Sequence, residues 1–68
     1  MTVGSQVKQT LAGLKSAQAS LETFALGTEN EQAKQLYQNA AQQTQMVIDS
    51  ITPRLQEIEQ EEPQYKQQ

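Results

Sequence analysis

Apolar residues recur along the first part of the chain at Val3, Val7, Leu11, Leu14, Leu21 and Phe24, at intervals of four, four, three, seven and three. An α-helix turns about 100° per residue, so this spacing gathers them on one face. Thr10 and Ala17 complete the stripe, and Lys8, Lys15 and Glu22 fall at or beyond its edge. The pattern predicts a first helix over about residues 2–26, with Thr2 and Ser5 as candidate N-caps. Gln18 interrupts the stripe between Leu14 and Leu21. It either fixes register as a buried amide or stays wet at the rim. Gly13 lies in a row of small residues with Thr10, Ala17 and Ser20. Such a row either permits close helix approach or is simply tolerated.

Gly27 reads as the stop signal of this helix, a C′ glycine in the left-handed conformation. Thr28-Glu29-Asn30-Glu31 follows at once in the form of a capping box, with Glu29 and Glu31 placed at the positive end of the next helix dipole. A connection this short makes the two helices antiparallel neighbours.

The second pattern extends over about residues 29–61. Its apolar members are Ala33, Leu36, Tyr37, Ala40, Ala41, Val47, Ile48, Ile51, Leu55 and Ile58, with Thr44 on the same side. They fill an arc of roughly 140°, wider than one partner helix can cover. Gln38, Gln42, Gln45 and Asp49 take the far side, and Met46 is a large apolar residue outside the arc. Pro53 either kinks one continuous helix or begins a third as its N1 residue, with Thr52 as cap. Helical spacing from Ile48 to Ile58 runs straight across it, which favours the kinked continuous helix. Pro63 is the expected stop, and residues 63–68 the expected flexible tail.

The fold class expected is therefore all-α: an antiparallel helical hairpin over residues 1–62 that dimerises into a four-helix bundle. Val7, Leu14, Leu21, Phe24, Leu36, Tyr37, Val47, Ile48, Ile51, Leu55 and Ile58 are the candidate core and interface residues. Length points the same way. A chain of 68 residues is marginal for a single core, and small domains usually recruit disulfides, metals or a partner chain. With no cysteine and no histidine, association with a second copy is the remaining remedy.

Charge and composition remove several function classes. Five Lys+Arg against eight Asp+Glu give a net charge of -3, and the basic residues Lys8, Lys15, Lys34, Arg54 and Lys66 are dispersed. That argues against nucleic acid and against an anionic membrane surface. No apolar run approaches the ~20 residues of a spanning helix, and Met1–Ser5 lacks the features of a secretory leader, so a cytoplasmic protein is expected. The 14 glutamines are interleaved at helical spacing and read as an uncharged solvated face rather than a disordered tract.

Candidate chemistry is sparse. Glu57 and Glu61 share a face, as two metal-binding carboxylates could, yet bundle di-metal sites also use histidines and inward-pointing carboxylates. Both glutamates lie away from the apolar arc, and a solvated acidic face is the reading preferred. Ser and Thr hydroxyls have no Cys or His beside them to build a nucleophile. Gly4, Gly13 and Gly27 are too dispersed for a phosphate loop. No catalytic residue, cofactor or metal is expected.

Thr2-Val3, Ser5-Gln6-Val7-Lys8-Gln9-Thr10-Leu11, Ala17-Gln18-Ala19-Ser20-Leu21-Glu22, Ala33-Lys34-Gln35-Leu36-Tyr37, Ala40-Ala41-Gln42-Gln43-Thr44, Pro53-Arg54 and Glu61-Glu62-Pro63-Gln64-Tyr65 are strings spread over nearly the whole length. Through them the chain resembles a family of short proteins of unknown function from spore-forming Firmicutes. The resemblance brings no activity and no catalytic residues. Genes of that kind often lie beside those of spore-membrane proteins for dipicolinic acid uptake, and related domains occur with integral membrane proteins. It implies a sporulation or spore-resistance setting, in the forespore or spore, with a membrane protein as partner. Two functional expectations follow: a protein–protein interaction module, and, as the alternative, a small ligand- or metal-binding bundle in which Gln18 and Thr44 supply polar groups.

Overall fold

The computed structural model describes residues 3–61, which form two α-helices and, among the described residues, no strand. Helix α1 spans Val3–Gly27 and α2 spans Glu31–Glu61. They pack side by side as an antiparallel hairpin with extents of 50 × 18 × 11 Å. The expected cap Thr2, the stop Pro63 and the tail over residues 63–68 lie outside the described residues. Ser5, the other expected cap, sits inside α1 rather than ahead of it.

The turn differs from its expected chemistry. Gly27 is helical, and no described glycine has a positive φ. The Thr28 N–H still donates to the Phe24 carbonyl at 3.1 Å, so the α-helical bond pattern runs through Gly27 and no left-handed residue is needed. Nor does Thr28 cap the second helix. Asn30 does: its Oδ1 accepts from the Ala33 N–H at 3.0 Å and its carbonyl from the Lys34 N–H at 2.9 Å. Thr28 Oγ1 instead accepts the Asn30 N–H at 3.2 Å, a local turn that orients the cap. α2 accordingly begins at Glu31, two residues later than a Thr28 cap would start it. Glu31 remains in its first turn, where its charge suits the helix dipole.

α2 is continuous through Pro53. Proline has no N–H to offer the Asp49 carbonyl. The two hydroxyls nearest the break fold back on the same turn, Thr52 Oγ1 to the Ile48 carbonyl and Ser50 Oγ to the Val47 carbonyl, each at 2.8 Å. Pro53 is exposed, so its ring takes no space from the seam between the helices.

That seam has a 3–4 rhythm. On α1 the buried or half-buried positions are Gly4, Val7, Leu11, Leu14, Gln18, Leu21 and Ala25, with Ser5 half-buried beside Gly4. On α2 they include Tyr37, Ala41, Thr44, Ile48, Ile51, Leu55 and Ile58. Alternation of three and four is what two helices need to keep one stripe in contact along their length. The buried apolar core consists of Leu11, Ala25, Ala41, Ile48 and Ile58. Gly4 and Ala25, small residues outside the expected stripe, are buried, whereas Val3 and Phe24 are each 52% exposed.

Candidate interaction surface

The two edges of the hairpin differ in chemistry. On one edge, α1 presents Lys8, Lys15 and Glu22, which follow one another along the helix at seven-residue spacing. Lys8 Nζ reaches Glu59 Oε2 at 3.3 Å near the open end. Further along, Gln18, Glu22, Gln38, Ala41, Gln42 and Gln45 line an open groove. Gln45 Nε2 donates to Asp49 Oδ1 at 2.8 Å on the outer side of α2. Gln18, left open between register and rim, is half-buried and lines this groove. Thr44 directs its hydroxyl to the Ala40 carbonyl at 2.8 Å, within its own helix.

The other edge is apolar and uncharged through its middle. From α1 it carries Thr10, Ala17 and Phe24; from α2 it carries Leu36, Ala40 and Val47. Phe24 is 52% exposed, Leu36 65% and Val47 44%, although all three belong to the periodic apolar sets of their helices. The Phe24 and Tyr37 rings meet edge to face at 5.6 Å across the turn, which holds Phe24 against the hairpin while leaving its outer face in water. The three α1 charges lie on the polar edge, and between Lys34 and Arg54 the only α2 charge is Asp49, which points outward with Gln45.

The candidate residues thus divide into two groups. Val7, Leu14, Leu21, Tyr37, Ile51 and Leu55 are half-buried, and Ile48 and Ile58 buried, in the seam. Phe24, Leu36 and Val47 stay on the open edge. The hairpin also buries Leu11, Ala25 and Ala41, which are absent from the candidate set. The 3–4 rhythm of positions, irrespective of side-chain size, is the signal that finds Ala25.

Glu57 and Glu61 do share a face, and Arg54 answers both. Its Nη1 lies 3.4 Å from Glu57 Oε1 and 3.7 Å from Glu61 Oε2. All three side chains are well exposed, so these pairs contribute little to stability. No group of three or more metal-ligating residues occurs among the described residues. No described helix is long and apolar enough to cross a membrane.

The model of a family described as "Protein of unknown function (DUF1657)" matches residues 7–55. No curated protein and no solved structure matches the chain.

Proposed function

The chain belongs to the DUF1657 family, and we propose that it works as a non-enzymatic helical interaction module whose hairpin pairs with a second copy into a four-helix bundle. The observation that carries this reading is the open edge on which Phe24, Leu36 and Val47 remain exposed. Complete burial of a large apolar side chain is worth ~1.5–3 kcal/mol, and each of these three leaves much of that unrealised in the hairpin alone. A short chain whose described residues include five buried apolar ones has few other sources of stability.

The resemblance to short proteins of spore-formers supports a sporulation or spore-resistance setting, inside the forespore or spore. A membrane protein of that compartment is the proposed onward partner, engaged by protein–protein contact. The alternative, a ligand- or metal-binding bundle, is less well supported. Its polar contributors do not converge: Gln18 faces an open groove and Thr44 bonds to its own helix.

Thermal melts separate the two readings. Anything that binds only the folded state raises its stability by mass action. Self-association predicts a Tm that climbs with protein concentration and is indifferent to magnesium, calcium or zinc. A Tm independent of concentration but raised by one of those ions would overturn the interaction reading.

A further inference from the structure

We infer that the uncharged edge pairs with the same edge of a second copy about a two-fold axis running perpendicular to the helices, at the level of Ala17 on α1 and of residues 41–42 on α2. This rests on the self-association proposed above and adds its geometry. In the resulting bundle α1 packs on α1 and α2 on α2, each pair antiparallel, with the two turns at opposite ends.

Three observations converge on that axis. The first is internal symmetry. On α1 the edge residues Thr10 and Phe24 lie seven positions either side of Ala17. On α2, Leu36 and Val47 are equidistant from the point between Ala41 and Gln42, and so are Ala40 and Gln43. A two-fold therefore sets Ala17 on its own copy, Thr10 against Phe24, Leu36 against Val47, and Ala40 against Gln43. Ala17 and Ala40, both small, let the backbones approach where the helices cross.

The second is that the two centres nearly coincide. Gln18 and Ala41 line one groove, as do Glu22 and Gln38, so Ala17 stands near the level of residues 42–43 across the hairpin, within about 2 Å of the α2 midpoint. Nothing in the sequence of either helix by itself requires this. One axis satisfies both helices only because the hairpin register aligns their midpoints.

The third is charge. The middle of the edge has none, as the core of an interface should. At its ends, Arg54 lies seven residues beyond Val47 and Glu29 seven before Leu36, so the same rotation brings Arg54 of one copy toward Glu29 of the other. An axis parallel to the helices would instead put both turns at one end. It would then crowd Glu57 and Glu61 of the two copies together at the other end, where like charges oppose association. A lipid surface is a poor occupant as well, because the net charge is -3 and Arg54, at the end of the edge, is answered by Glu57 and Glu61.

The chain has no cysteine, so single introduced thiols report on the geometry. A disulfide requires Cα atoms within about 4.4–6.8 Å. The inference predicts that Ala17→Cys forms a disulfide-linked dimer on mild oxidation and that Ser16→Cys, on the outer face, does not. Leu36→Cys alone should stay unlinked, because the two copies of that position lie about 16 Å apart along the helix direction. Leu36→Cys mixed with Val47→Cys under reducing conditions and then oxidised should give the mixed disulfide. Sedimentation equilibrium of the unmodified chain separates the two levels of the claim. A monomer overturns both self-association and this axis. A dimer in which Ala17→Cys stays unlinked, or in which Phe24→Cys links to Leu36→Cys, overturns the axis alone.

Discussion

The Phe24 ring meets the Tyr37 ring edge to face at 5.6 Å, yet Phe24 remains 52% exposed. Its inner face closes the hairpin beside the turn, and its outer face is the one proposed to meet a second copy. Phe24→Ala should lower hairpin stability by about 1–2 kcal/mol, less than for a fully buried ring, and weaken self-association further. Urea titrations at two protein concentrations check this. The loss should be larger at the higher concentration, where the second role counts.

The two apolar groups on α2 should respond differently to polar substitution. Leu36 is mostly solvated in the hairpin, so Leu36→Gln should leave the hairpin within about 0.5 kcal/mol of its original stability while raising the dimer dissociation constant. Ile51 is half-buried in the seam and close to the shared edge. Ile51→Asp should abolish folding rather than release folded monomer, because a charge there has no partner. Far-UV circular dichroism with sedimentation velocity distinguishes the outcomes.

At the turn, Gly27→Ala should stabilise the protein by up to ~1 kcal/mol, since Gly27 is helical and a Cβ there would meet nothing within 4 Å. Asn30→Ala should cost ~0.5–2 kcal/mol as the loss of an N-cap, and more than Thr28→Ala. Thermal denaturation of the three variants settles the order; a lower Tm for Gly27→Ala would mean that the residue needs a left-handed backbone after all.

The helical pattern, the antiparallel pairing and the continuity across Pro53 were legible in the spacing of apolar residues. Two features were not, for different reasons. Weighing side chains by size put Val3 and Phe24 in the stripe and passed over Gly4 and Ala25, whereas close packing of two helices selects by position and favours small residues. The cap depended on competition between Thr28 and Asn30, which are two residues apart and both suited to the task. Three-dimensional geometry gives it to Asn30 and leaves Thr28 a supporting bond. The Lys8–Glu59 contact was invisible for a third reason: 51 positions separate its partners, and only the hairpin register joins them.

Pro53 leaves the Asp49 carbonyl without its usual donor at an exposed position. Pro53→Ala should therefore raise helicity and Tm. If the bend proposed at this position is not needed to seat Leu55 and Ile58, the dimer should persist unchanged. A variant that gains helicity but sediments as a monomer would show that the proline shapes the shared core.

The central claim is that this hairpin is half of an assembly. Sedimentation equilibrium of the unmodified chain at micromolar concentration addresses it most directly. The account predicts a mass twice the 7.6 kDa of one chain, falling toward the monomer for Ala17→Glu, which sets a charge at the inferred axis. A mass of 7.6 kDa for the unmodified chain, together with a cooperative melt independent of concentration, would contradict it.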